Sequence, residues 1–171
     1  MKLQHMLLLF AICGVGYAQQ GISVDTEVWG NLRMATNHSG YDPGRNGGGV
    51  SVGLQKPIIP HYPARLAVEF GAAGTGNYLA AKAGIERPVE IGTSRWNYIP
   101  GLNLLQGAAL FRPKSLYMWG VEQTNVVQFR MKNTGGPGLV IGFRYYGFPG
   151  YQEYSPIRHF FDIRTGLRYT F

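Results

Sequence analysis

The last stretch of the chain, His159 to Phe171, reads HFFDIRTGLRYTF and constrains the fold more than any other. Phe161, Ile163, Thr165, Leu167, Tyr169 and Phe171 fall on one face, and Asp162, Arg164, Gly166, Arg168 and Thr170 on the other. A period of two residues is that of a strand. A terminal strand of a secreted, soluble β-sandwich would alternate as well, and that fold is the alternative. Here the charges sit between large apolar groups, and the chain stops on a phenylalanine with no polar tail. The reading is a strand whose apolar face meets lipid and whose Asp/Arg face fills a closed barrel, since only closure leaves no unpaired backbone edge in hydrocarbon.

The final residues Gly166-Leu167-Arg168-Tyr169-Thr170-Phe171 resemble the C-terminal signal that bacterial outer-membrane β-barrel proteins present to their assembly machinery, with Leu167, Tyr169 and Phe171 as its apolar positions. The resemblance implies a bacterial outer-membrane location, contact with the barrel-assembly machinery, and outer-membrane lipid and lipopolysaccharide as surroundings. In architecture the chain resembles the small eight-stranded group typified by the OmpX and OmpA transmembrane barrels. That likeness rests on pattern, so no binding residue carries over from it.

The other end agrees. Met1 to Ala18 has a basic start at Lys2, an apolar run from Met6 to Val15, and small residues at Gly16 and Ala18, which reads as a secretory signal peptide cleaved after Ala18. Cys13 raises a lipoprotein signal as an alternative, but Ile12 stands where that processing wants a small residue. Residues 19–171 then form one domain with no cysteine left for a disulfide. The formal charge of +7 is spread singly along the chain, so nucleic acid is not an expected partner. With 25 glycines, 11 tyrosines and 9 phenylalanines, and no later run of about 18 apolar residues, the class is all-β.

A first strand covers Ile22 to Met34, with Ile22, Val24, Thr26, Val28, Leu32 and Met34 outward and Ser23, Asp25, Glu27, Asn31 and Arg33 inward. In an eight-stranded barrel it neighbours the last strand, so Asp25 or Glu27 is expected to pair with Arg164 or Arg168. Thr36 to Gly49 reads as a loop. Val50, Val52 and Leu54 mark a second strand ended by Pro57, and the prolines of Pro57 to Pro63 are expected to stay out of any ladder. A third strand faces Leu66, Val68, Phe70 and Ala72 outward over Arg65 and Glu69. After a tight turn at Gly74 to Asn77, a fourth faces Leu79, Ala81, Ala83 and Ile85 outward over Lys82 and Glu86.

The middle sets the strand count. Pro100-Gly101 and Thr124-Asn125 are turn-like, and two turns there would give ten strands. A two-residue hairpin loop flips the outward parity. Yet Trp96, Tyr98, Leu102, Leu104, Ala108 and Leu110 are all even, opposite Arg95, Asn97 and Asn103. Tyr117, Trp119, Val121, Val127, Phe129 and Met131 are all odd, over Glu122, Gln128, Arg130 and Lys132. Two long strands keep both registers, with a bulge or exposed rim required at Pro100. Thr134 to Gly138 is a turn, Leu139, Ile141, Phe143 and Tyr145 face outward over Arg144, and Gly147 to Arg158 is a loop. The expected fold is an eight-stranded antiparallel up-and-down transmembrane β-barrel, with ten strands as the alternative, both termini periplasmic, and outer loops near 36–49, 73–77, 111–115 and 147–158.

The expected interior charge network comprises Asp25, Glu27, Arg33, Glu69, Lys82, Glu86, Arg130, Arg144, Asp162, Arg164 and Arg168, while Trp29, Trp96, Trp119, Tyr145 and Tyr146 are expected in interfacial girdles. Eight strands enclose room for side chains only, which argues against a pore. Catalytic candidates are weak. His38 and Ser39, with Asp42, are adjacent residues whose side chains diverge, and His159 with Ser155 and Glu153 lies at the last loop. Beyond the signal peptide the three histidines, His38, His61 and His159, are far apart and suggest no metal, and no cofactor is expected. The function expected is a small closed barrel with a structural or surface-interaction role, read as a non-enzyme. A lipid A-modifying enzyme and a narrow channel are the alternatives.

Overall fold

The computed structural model describes residues 21–36, 47–73, 76–111, 114–131, 135–148 and 159–171, with backbone alone for 33–36, 73, 76, 111 and 114. Its strands are β1 (Ser23–Thr36), β2 (Gly47–Ile59), β3 (Tyr62–Ala73), β4 (Gly76–Glu86), a two-residue β5 (Val89–Glu90), β6 (Trp96–Phe111), β7 (Lys114–Phe129), β8 (Gly136–Gly147) and β9 (His159–Thr170). Every neighbouring pair is antiparallel, β4 pairs with β6, and β1 pairs with β9. The eight long strands among the described residues therefore close into an up-and-down barrel, and the ten-stranded alternative falls. β5 merely flanks the lower part of β6, through Val89 opposite Tyr98 and Glu90 opposite Asn97.

Two-residue alternation carries through the ladder. In β8 the burial pattern switches at every residue from Gly136 to Tyr145, with Leu139, Ile141, Phe143 and Tyr145 outward. The seam between β1 and β9 sets Val28 opposite Leu167 and Leu32 opposite Ile163 outside, and Glu27 opposite Arg168 inside, with one register shift between Arg33 and Ala35. The long strands span 11 to 16 residues, against the roughly 9 to 11 that cross a bilayer.

Several local expectations are corrected. The proline-rich segment lies within the ladder: β2 runs to Ile59, β3 begins at Tyr62, and Pro57 stands opposite Pro63. This pair lies beyond the last β1 partner, Ser23 opposite Gln55, and the last β4 partner, Ala64 opposite Ile85, so neither missing N–H is owed to a third strand. Only Pro60 and His61 form the turn, His61 with φ of 67°. Pro100 needs no bulge. It faces Asn125 in an unbroken β6–β7 register just where β4 ends, and its carbonyl accepts the Arg87 N–H at 2.9 Å. Gly136 to Gly138 belong to β8 rather than to a turn. Val24, read as outward, is buried beside the chain end, where the Phe171 N–H binds its carbonyl at 2.8 Å.

The supposed loop up to Gly49 is also shorter than expected, because Gly47, Gly48 and Gly49 pair with Asn31, Gly30 and Trp29. Their glycines have a packing reason. A Cβ at Gly49 would stand 2.7 Å from Trp29 Cζ2, and one at Gly71 would stand 2.9 Å from the same atom and 2.7 Å from Tyr78 Cζ. Both positions point inward, and their missing side chains make room for the Trp29 indole in the lumen. Gly71→Val should therefore lower the urea-unfolding free energy by about 1–3 kcal/mol through overpacking. Val68→Leu on the outer face of the same strand should stay within about 0.5 kcal/mol of wild type in the same titration.

Candidate functional site

Inward positions of all eight long strands converge on the lumen, which is filled in three layers. Toward the ends that lead into 37–46, 112–113 and 149–158, Trp29, Tyr78, Met118, Tyr146, Phe148 and Phe160 form a buried apolar plug. Tyr146 stacks on Phe160 at 5.1 Å, and Phe148 meets both rings edge-on. Trp29 and Tyr146 are thus core residues and not girdle residues. Their parity, odd in β1 and even in β8, is the inward parity of their strands. Trp96, Trp119 and Tyr145 do lie exposed on the outer surface.

Below the plug lies a cluster of ions. Glu69 accepts hydrogen bonds from Tyr78 (2.6 Å) and Arg164 (2.8 Å) and meets Lys82 (2.9 Å) and Arg144 (2.7 Å). Glu122 faces the same three cations, with Lys82 at 3.1 Å, Arg144 Nε at 2.7 Å and Arg164 Nη1 at 2.6 Å. Arg164 continues to Glu27, Glu27 to Arg168, and Arg168 to Glu86 at 2.7 Å. Arg65 grips Asp25 through two nitrogens at 2.8 and 2.5 Å, and Gln55 bridges Asp25 and Glu86. Among the described residues the connected set holds five acids (Asp25, Glu27, Glu69, Glu86, Glu122) and five bases (Arg65, Lys82, Arg144, Arg164, Arg168), all buried. The guanidinium carbons of Arg144 and Arg164 also lie 5.0 and 4.3 Å from the Trp29 ring centroid, which joins the ion layer to the plug. At the far end Ile99, Val126 and Val140 make a second apolar cluster, beside Gln128 bonded to Thr170 at 2.9 Å.

The structure places Asp25, Glu27, Glu69, Lys82, Glu86, Arg144, Asp162, Arg164 and Arg168 in the lumen. Asp162 takes hydrogen bonds from Asn31 and from the Tyr146 hydroxyl. Of the expected cross-seam partners, Glu27 meets Arg164 and Arg168, while Asp25 takes Arg65 from β3. The expected network omits Arg65 and Glu122, whose inward parity is the signal that marks them. The backbone of Arg33 faces Asp162, and its side chain lies outside the description. Arg130 is a correction: its side chain is 49% exposed and pairs with Glu90 at 2.6 Å outside the lumen. β7 ends at Phe129, and the Arg130 N–H turns to the Arg95 carbonyl, so strand parity no longer aims the side chain. Arg95 is likewise exposed at that rim, not inward.

Among the catalytic candidates, His38, Ser39, Asp42, Glu153 and Ser155 lie outside the described residues. His159 sits on the outside of the barrel, stacked on Tyr145 at 5.3 Å and edge-on to Trp119 at 6.1 Å. Its Nδ1 finds no partner among the described residues, and there no group of three His, Cys, Asp or Glu is arranged to hold a metal. On β9, Leu167 is 67% exposed and Tyr169 packs on Phe171 at 4.8 Å, along the outer face.

No protein-family model matches the sequence, and no curated protein matches it. Solved structures do. The crystal structure of Neisserial surface protein A is similar at a TM-score of 0.58 and 12% identity, over 88% of this chain and 97% of that one. The outer membrane protein OprG from Pseudomonas aeruginosa is similar at 0.51 and 7% identity, over 88% and 96%. The fold is that of a small outer-membrane β-barrel.

Within such a barrel the two kinds of ion pair differ sharply in consequence. Glu122→Ala strips three buried cations of a shared carboxylate, and it should destabilise the folded barrel by about 3–5 kcal/mol in urea titration. Glu90→Ala, which frees only the exposed Arg130, should change it by less than about 1 kcal/mol.

Proposed function

We propose that this chain is an exported bacterial outer-membrane protein whose barrel is a closed, non-conducting anchor, with a structural or surface-interaction role carried by its outer loops. The observation that supports this best is the filled lumen: a charge-balanced ion layer spans its width beneath an aromatic plug. An open channel would need that layer absent, and a barrel of this size has no second path for solute. The outer surface suits lipid, since Val28, Leu66, Val68, Leu79, Leu102, Leu104, Leu139 and Leu167 are all exposed there. Leu167, Tyr169 and Phe171 would be read by the assembly machinery, and lipid and lipopolysaccharide would surround the finished barrel. The lipid A-modifying alternative draws no support from His159, which is held between aromatic rings on the barrel's outside.

Two measurements test this reading together. Cell fractionation should place the protein in the outer membrane, with the unheated band migrating faster than the boiled one on a gel. Purified barrel in a planar bilayer should show no discrete conductance steps at neutral pH. Resolved steps would overturn the closed lumen, and a soluble periplasmic product with no band shift would overturn the membrane barrel.

A further inference from the structure

Two amides stand where the lipid-facing surface should be driest. Gln123 and Asn125 occupy outward positions of β7, in register with the exposed Leu102 and Phe143 at Gln123, and with Pro100 and Ile141 at Asn125. Gln123 lies four positions along the strand from Trp119, and Asn125 four from Phe129. Trp119 packs against Tyr145, and Phe129 against Trp96, so each end of the strand carries an outward aromatic pair. At about 3.3 Å per residue and a tilt near 40°, the amides lie about 10 Å from either aromatic level, close to mid-bilayer. This placement rests on the membrane reading above. Another outward amide, Gln106, differs: it sits level with Trp119 and donates to the Tyr117 hydroxyl at 2.7 Å, at interfacial depth.

Within one barrel each amide N–H has a partner, but only half of these contacts are close. Gln123 Nε2 donates to Asn125 Oδ1 at 2.9 Å, Asn125 Nδ2 donates back to Gln123 Oε1 at 3.2 Å, and the Tyr98 hydroxyl donates to Asn125 Oδ1 at 2.5 Å. The remaining contacts are poor. Gln123 Nε2 reaches the Thr124 carbonyl at 3.5 Å and Asn125 Nδ2 the Ile141 carbonyl at 3.4 Å, both at the outer limit of a hydrogen bond. In hydrocarbon no water completes them, and a polar group left short there is costly.

We propose that the outer face of β7 docks a second copy of this chain, with Gln123 and Asn125 meeting their own counterparts across a twofold axis. Two copies inserted in the same direction can be related by a twofold only if its axis lies along the bilayer normal, and that operation preserves depth. A mid-bilayer amide on one barrel therefore faces a mid-bilayer amide on the other. An amide carries both donor and acceptor, so it complements itself, and the flanking Val121, Val127, Leu102 and Ile141 offer an apolar rim.

The test uses single cysteines in a full-length Cys13→Ser background, crosslinked in isolated outer membranes with a short bismaleimide. Val127→Cys, beside the amides, should give a dimer band, and Val50→Cys, on β2 across the barrel, should not. Adding Gln123→Leu and Asn125→Leu to Val127→Cys should cut the dimer yield about tenfold while the heat-modifiable folded band persists. The proposal is overturned by a folded, membrane-inserted Val127→Cys that stays monomeric, by a dimer yield indifferent to the leucine pair, or by a crosslinked band at another protein's mass. A chain absent from the membrane fraction would instead overturn the membrane reading on which the proposal rests.

Discussion

A β-sheet that is to leave no backbone donor or acceptor at an edge must pair its first strand with its last, and the rest of this structure follows from that demand. It is met at the seam, where β9 returns to pair with β1 from Asp25 opposite Thr170 to Thr36 opposite Phe160. Closure turns one face of every strand outward, toward lipid in the proposed membrane setting, and the other toward a space too narrow for bulk water. Strand alternation then divides the side chains into two populations with opposite solvents, and each population must be satisfied on its own terms.

For the inward population, satisfaction is electrical. Burying an ion is unfavourable unless its partners surround it, and five acids against five bases, drawn from β1, β3, β4, β7, β8 and β9, leave the connected layer neutral. Filling the lumen with aliphatic residues would spare that desolvation, but it would make both faces of each strand apolar. A strand could then slip by one residue at small penalty. With Arg164, Arg168 and Glu122 inward, the same slip would carry a guanidinium or a carboxylate onto the apolar outer face, so the ion layer defines register as well as filling space.

This division is why the sequence was informative about the fold and selectively misleading about the interior. Parity alone distinguishes eight strands from ten, since Trp96 to Leu110 and Tyr117 to Met131 each keep one outward parity through a turn-like dipeptide. Residue type misleads where it is weighed against parity. Trp29 and Tyr146 look like girdle aromatics, yet their positions are inward, and Gly49 and Gly71 are small because Trp29 is there. A single chain cannot reveal that reciprocity until β2 and β3 are set beside β1. The prolines mislead differently: Pro57, Pro63 and Pro100 are tolerated because a neighbouring strand ends beside them, which is a property of the assembled sheet. Arg130 fails for a third reason, because alternation aims a side chain only while the strand lasts.

The packed lumen also restricts where function can reside. Its ions are committed to one another, and its mouth toward the long connections is closed by Tyr146, Phe148 and Phe160. The loops and the outer surface are what such a barrel has left to offer a partner. On that surface the β3 face is the plain case, aliphatic and aromatic at Leu66, Val68 and Phe70. The β7 face departs from it at two consecutive outward positions. On the proposed membrane reading, a lipid-facing side chain is under no packing pressure to be an amide and under strong solvation pressure not to be one, and the proposed contact between copies addresses that contrast.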